Sequence, residues 1–159
     1  MKEDLPQFIG LSDSRLFHMR SVAYKSYKLA RNVFKMEEDK ARSLFAMGLI
    51  HDFAYAFVEN QTEHEHEGGR ILRLSGFDWA DAVFDHGNPD IESWTDELLI
   101  LNLADMTTGP NGESLTMDQR LVDIKNRYGP KSTQSIKANR LANRIHAELN
   151  NRNLKIPNL

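Results

Sequence analysis

Apolar residues recur at helical spacing along almost the whole chain, and this periodicity is the strongest constraint on the fold. Residues 13–34 carry two adjacent apolar stripes that would lie on one face of a single helix. No window alternates apolar and polar residues as a β-strand does. We therefore predict an all-α fold, a single-domain bundle of about six or seven helices over residues 1–159.

Capping residues and helix breakers divide the chain into elements. Residues 37–50 begin with acidic residues, which suit the positive end of a helix, and are then apolar nearly all round, so we expect the central buried helix there. The polar residues 59–67 predict a loop. Ser12 or Asp13 can cap the first helix. The other expected helices run through Ile71–Leu74 to Gly76, over residues 78–86, from a Ser93 cap through Leu98–Ala104, from a Thr116–Gln119 capping box to Tyr128, and through Ile136–Leu149.

Composition excludes several classes of protein and site. The chain contains no cysteine, so disulfides, thiolate zinc sites and a cysteine nucleophile are excluded. No apolar run approaches the roughly 18 residues that indicate a membrane span. Met1–Pro6 mixes charges and lacks the apolar stretch of a signal peptide. We therefore expect a cytoplasmic protein with no membrane partner, and the sequence leaves a homo-oligomer open.

The net charge of −3 is unevenly distributed. Residues 125–159 hold eight Lys and Arg and one acid, so the rest of the chain is strongly acidic. We expect residues 131–159 to form a basic C-terminal helix and tail that lies against the acidic body. The alternative is a patch for polyanions such as nucleotide phosphates or nucleic acid. Nucleic acid is disfavoured, because this stretch is poor in the aromatic residues that stack on bases.

Histidines and aspartates fall at the ends or on the inner faces of apolar helices. His18 lies on the inner stripe of the first helix, His51 and Asp52 end an apolar helix, and Asp105 ends another. Buried polar groups are costly unless they are paired or bind a metal. Two imidazoles and two carboxylates suit a divalent transition metal such as Fe, Mn, Co, Ni or Zn, with positions left for water.

Two further histidines fit a second ion. His64 lies in the Glu- and His-rich segment, and His86 precedes a Gly-Asn-Pro break. A carboxylate such as Asp52 can bridge two metals about 3.5–4 Å apart, and such a pair activates water and binds phosphate oxygens. His66 competes with His64 as the ligand, so the sequence predicts one or two ions.

The order of these segments resembles the HD-domain superfamily of metal-dependent phosphohydrolases. The resemblance rests on five segments spread over about residues 10–128, namely His18–Ala23, Gly48–Asp52, His64–Leu72, Ala82–His86 and Leu103–Asp105. It implies that His18, His51, Asp52 and Asp105 hold one metal, and that His64 and His86 hold a second with Asp52 bridging. Small members with six such ligands resemble bacterial enzymes that split dinucleoside tetraphosphates, and others are nucleotidases with one metal.

The chain departs from that family at Tyr55, where many members have Lys or His three residues after the aspartate. Arg15, Arg20, Lys25 and Arg70 flank the expected ligands and could hold phosphate, with Arg20 the first choice and Arg70 the second. Thr108 could donate a hydrogen bond to substrate. The predicted catalytic groups are Asp52 and Arg20.

The predicted function is hydrolysis of a phosphorylated small molecule, in particular a nucleotide, a dinucleoside polyphosphate or a phosphate monoester. A non-catalytic module that binds a phosphorylated ligand or a protein partner is the alternative, and Tyr55 supports it. A third alternative is a nucleic-acid accessory protein that uses Arg140 and Arg144 of the basic helix.

Overall fold

The all-α fold is confirmed by the computed structural model, which describes residues 9–57 and 63–156. Within these ranges there are seven α-helices, one short 3-10 helix and no strand. The helices are α1 (Asp13–Asn32), α2 (Glu38–Ile50), the 3-10 helix (Phe53–Ala56), α3 (His64–Leu74), α4 (Ala80–Asp85), α5 (Asp96–Met106), α6 (Met117–Tyr128) and α7 (Thr133–Asn151). The expectations for Met1–Pro6 and for the last three residues lie outside the described residues.

Side-chain caps set the starts of several helices. The Ser12 hydroxyl accepts a hydrogen bond from the Arg15 amide, and Thr116 and Gln119 form the expected capping box of α6. The prediction for α5 was wrong by two residues. Thr95 caps this helix instead of Ser93, because its hydroxyl lies within reach of the Leu98 amide. Each cap satisfies an amide that the helix itself leaves unpaired.

The central helix is α5, and the expectation that residues 37–50 would fill this role was wrong. Every residue of Leu98–Ala104 is buried. In α2 the buried residues form one stripe, Ala41, Leu44, Met47 and Gly48, while Arg42 and Leu49 are exposed. One buried stripe is typical of a helix that packs on one side only. Asp105 therefore lies near the C-terminal end of the most buried helix.

Helices α1 and α2 approach almost to backbone contact at Gly48. A Cβ atom at this position would lie 2.7 Å from the Cα atom of Ala23 and 2.9 Å from its nitrogen. Only glycine leaves enough room there. The close approach brings the first two histidines together, with the ring centroids of His18 and His51 5.6 Å apart.

The prediction of a loop over residues 59–67 was wrong for its second half. Helix α3 begins at His64, and residues 58–62 lie outside the described part of the chain. Packing overrides the low helix propensity of the Gly68-Gly69 pair. A Cβ atom at Gly69 would lie 2.4 Å from the Cβ atom of Phe84, so this glycine allows α3 to lie directly against α4.

Basic side chains of α7 and of the residue after it pair with acidic and carbonyl groups. Arg152 Nε donates to Asp96 at 2.8 Å, and Arg140 pairs with Asp90. Arg144 donates to Glu148 and to the backbone carbonyl of Glu92. None of the helices in the described ranges has the combination of length and apolar composition that crossing a membrane requires.

Candidate metal centre

Six imidazole and carboxylate side chains from five parts of the fold converge below one cavity. Two groups within this set have donor atoms that all lie within 4.8 Å of one another. They are His18, His51 and Asp105, and His51, Asp52 and His86. Helix α1 supplies His18, the end of α2 supplies His51 and Asp52, the start of α3 supplies His64, the end of α4 supplies His86, and α5 supplies Asp105.

Three of the histidines have their Nδ1 atoms held by backbone carbonyls. The bonds join His18 to Gly109 at 2.9 Å, His51 to Gly48 at 2.7 Å and His86 to Val83 at 2.5 Å. A neutral imidazole that donates from Nδ1 presents a bare lone pair on Nε2. This is the orientation that backbone partners commonly impose on metal-binding histidines.

The Nε2 atom of His51 is the clearest sign of an ion. It is fully buried, and no hydrogen-bond partner for it exists among the described residues. It lies 3.4 Å from Asp52 Oδ1 and 3.9 Å from Asp105 Oδ1. Burial lowers the pKa of His51 to about 4, so the ring is neutral near pH 7. A lone pair that faces two carboxylates is unfavourable unless a cation lies between them, and the mixed nitrogen and oxygen donors suit a divalent transition metal.

Asp52 lies at the centre of the cluster. Its Oδ2 accepts from Arg15 Nη1 at 2.6 Å, and its Oδ1 lies 3.1 Å from His64 Nε2 and 3.5 Å from His86 Nε2. Burial alone would raise the pKa of this carboxyl, but the neighbouring imidazoles of His51, His64 and His86 lower it well below its usual value. Asp52 is therefore a carboxylate whose two oxygens face different partners, as a bridging ligand requires.

His64 faces the centre, and His66 does not. The Nε2 atoms of His64 and His86 lie 3.3 Å apart beside Asp52, and His64 Nδ1 lies 2.9 Å from a Glu65 carboxylate oxygen. Burial would lower the pKa of His64, but Asp52 and Glu65 raise it to about 10. His66 is exposed, and its ring packs on Phe84 with centroids 4.6 Å apart.

Arg15, Tyr55 and His64 form a stack beside the carboxylates. The Arg15 guanidinium carbon lies 4.0 Å from the centroid of the Tyr55 ring, and that ring stacks on His64 with centroids 4.0 Å apart. Cation–π contact and the bond to Asp52 hold the Arg15 head in one place. Tyr55, where the chain departs from the family pattern, thus supports a cation instead of supplying one.

The structure does not bring the other predicted substrate groups to the centre. Arg20 is exposed, and its guanidinium lies over Phe17. Arg70 is exposed on α3 and pairs with Glu67 at 2.7 Å. The Thr108 hydroxyl is buried and donates to the Ala104 carbonyl at 2.7 Å. These three side chains do not line the cavity, so the cations beside the carboxylates must come from elsewhere.

The cavity has a volume of about 250 Å³, and four cations line it. Arg15 is one of them, and sequence reasoning ranked it behind Arg20. It did not find the other three, Arg120, Arg127 and Lys137. The excess of basic residues after position 124 could have indicated the last two. It did not show which of these residues face the cavity and which lie against the acidic body.

Three hydrogen bonds fix the backbone around the ligands. Asn102 Oδ1 accepts from the Gly87 amide at 2.7 Å, directly after His86. The Thr107 hydroxyl donates to the Leu103 carbonyl at 2.7 Å, and Lys25 donates to the Thr107 carbonyl. The second pair orders the chain between Asp105 and Gly109, whose carbonyl orients His18.

Comparison with known proteins agrees with this geometry. The family model described as the HD domain matches residues 15–124, a range that includes all six converging side chains. No curated protein and no solved structure gives a significant match. HD domains are generally metal-dependent hydrolases, and this chain carries His and Asp groups that could hold the metal. Because the match covers more than half of the sequence, the chain belongs to the HD-domain family.

Proposed function

We propose that this protein is a phosphohydrolase that depends on a divalent transition metal, with Fe, Mn, Co, Ni and Zn as candidates. Its substrate would be a phosphorylated small molecule, in particular a nucleotide, a dinucleoside polyphosphate or a phosphate monoester. The observation that carries this proposal is the buried His51 Nε2, which faces two carboxylates and has no hydrogen-bond partner in the described part of the chain.

His18, His51, Asp52 and Asp105 would hold one ion, and His64 and His86 would share Asp52 with a second. A divalent ion bound there would supply a hydroxide nucleophile near neutral pH and polarise the phosphoryl group. The Nε2 atoms of His64 and His86 lie 3.3 Å apart, and both lie within 3.5 Å of Asp52 Oδ1, which supports a second ion that would take these two nitrogens and the carboxylate together.

The protein's own groups would orient the substrate and balance its charge. Asp52 lines the cavity and would accept a hydrogen bond from the attacking water. Arg15 would donate to a phosphate oxygen, since its head lies against Asp52 and is only part-buried. Charge that develops on the phosphoryl oxygens would then meet a fixed guanidinium, and the cost of reorganisation would be small.

Metal analysis and turnover test the proposal together. Protein purified without chelator, and reloaded with each candidate metal, should hydrolyse nucleotides or generic phosphate esters such as p-nitrophenyl phosphate. Asp52→Asn should abolish turnover, because the neutral amide cannot serve as a bridging anionic ligand. Absence of turnover with every metal, at full loading, would contradict the assignment.

His64 and His66, two residues apart, provide a matched pair of variants that tests the number of ions. His64→Gln should reduce the metal content from two ions per chain to one. His66→Gln should leave the content unchanged, since the His66 ring lies against Phe84. Equal metal content in both variants and in the wild type would exclude His64 as a ligand.

Tyr55 favours one rival, a non-catalytic module that binds a phosphorylated ligand. The tyrosine stands where many family members have a charged residue, and a binding module does not need that charge. Wild-type protein that binds nucleotides but does not turn them over, with Asp52→Ala retaining the affinity, would favour this rival.

A further inference from the structure

Three cations on the outer wall of the cavity are not used by the proposed mechanism. Arg120 and Arg127 come from α6, and Lys137 comes from α7. Arg120 and Arg127 donate to the same carboxylate, Asp123, at 2.9 and 2.8 Å. Lys137 lies 3.9 Å from Glu65. Unlike Arg15, none of them forms an ion pair with Asp52 or Asp105 among the described residues.

This outer cluster, Arg120, Arg127 and Lys137, carries more positive charge than its partners neutralise. One carboxylate is shared by two guanidinium groups, and Arg120 Nε is buried with no hydrogen-bond partner in the described ranges. Among the described residues that line the cavity, Glu65 is the one acidic residue besides the proposed ligands Asp52 and Asp105. The three cations share two carboxylates, Asp123 and Glu65, and an anion in the cavity would balance the remaining positive charge.

The outer cluster is largely separate from the part of the chain that matches the family. The match ends at residue 124, so Arg127 and Lys137 lie beyond it. A second cavity of about 530 Å³ adjoins the first and shares six lining residues with it, Tyr55, His64, Glu65, Tyr128, Gln134 and Lys137. The space beside the metal centre therefore continues between the start of α3 and the C-terminal segment, and it is large enough for more than one phosphate.

We propose that the outer cluster binds a second anionic group of the substrate, so that the preferred substrates carry at least two phosphates, as a polyphosphate chain or a bisphosphate. This inference rests on the proposed function, which places the reacting phosphate beside Asp52 and Arg15. The outer cluster then selects among phosphate compounds, because a monophosphate held at the metal centre leaves these cations without an anion.

Competition between two inorganic anions tests the selection. Orthophosphate and tripolyphosphate are each used to inhibit hydrolysis of p-nitrophenyl phosphate by metal-loaded protein, with free metal in excess. Tripolyphosphate should inhibit at a concentration at least about tenfold lower than orthophosphate. Arg127→Ala and Lys137→Ala should each reduce that ratio about tenfold, the size expected for one lost hydrogen bond to a charged group. Lys131→Ala, a change at an exposed lysine that does not line the cavity, should leave the ratio unchanged.

The outcomes separate this inference from the proposed function. Equal inhibition by the two anions would overturn the second anion site, and so would a ratio that Arg127→Ala and Lys137→Ala leave unchanged. Neither result would contradict the proposed hydrolase function. If p-nitrophenyl phosphate is not hydrolysed at all, the proposed function fails. Calorimetric titration of the same proteins with tripolyphosphate and orthophosphate then decides whether the outer cluster binds a second anionic group, since the same difference in affinity must appear in direct binding.

Discussion

Arg15 and His18 lie three residues apart on α1, and side chains at that spacing project from the same face of a helix. Arg20 follows His18 by two residues, which places it about 200° around the helix axis. The structure agrees, since Arg15 contacts Asp52 and Arg20 is exposed beside Phe17. The spacing alone could have predicted that Arg15, and not Arg20, shares the face of the metal ligand.

This difference gives a paired prediction for activity. Arg15→Ala should lower kcat/KM by about 10²-fold, because a fixed cation beside the reacting phosphate contributes most in the transition state. Arg15→Lys should recover only part of the loss, since an ammonium group cannot reproduce the planar contact with Tyr55. Steady-state kinetics of both variants, with metal content measured in parallel, check this.

Arg20→Ala is the matched control, because it removes the same charge from the same helix on the exposed face. We expect its kcat/KM to stay near the wild-type value. A larger loss in Arg20→Ala than in Arg15→Ala would show that the substrate lies over the other face of α1, and would restore the first choice made from the sequence.

Choosing between His64 and His66 required knowing where an element begins. The two residues are about 200° apart on a helix, so only one can face the centre once α3 starts at His64. The sequence predicted a loop there, since glutamate, histidine and two glycines give little periodic signal. Close packing of Gly69 on Phe84 stabilises the helix, and such a tertiary contact cannot be recognised from local propensity.

The contact between α1 and α2 leads to a prediction of stability. Gly48→Ala should lower the free energy of unfolding by about 3 kcal/mol, at the upper end of the cost of overpacking, because the new methyl group meets backbone atoms of Ala23 that no rotamer change can move. Urea unfolding followed by circular dichroism measures the loss. Leu49→Ala changes the exposed neighbour in the same helix, and we expect a much smaller effect. Equal losses in the two variants would contradict the close packing of these helices.

Across the whole molecule, the sequence predicted a charge imbalance but not its geometry. Arg140 and Arg152 lie against acids of the body, as the simpler interpretation expected. Arg127 and Lys137, from the same basic segment, line the cavity. The basic segment therefore presents some residues to the acidic body and others to the cavity, and the binding of a polyanion there stays a prediction. Composition counts charges, and only the packing of α6 and α7 assigns each one to a surface.

Metal should also contribute to the stability of the whole fold, since the proposed ligands come from elements that are far apart in sequence. An ion that binds only the folded state at 100 times its dissociation constant adds about 2.7 kcal/mol. We expect urea unfolding of chelator-treated protein to show a loss of about this size, and added metal to reverse it. Asp105→Asn should largely abolish the difference between the chelated and the metal-loaded protein. His66→Gln should keep it, because this imidazole lies outside the centre. Identical unfolding curves for wild-type protein with and without metal would mean that the six side chains do not bind an ion in the folded state.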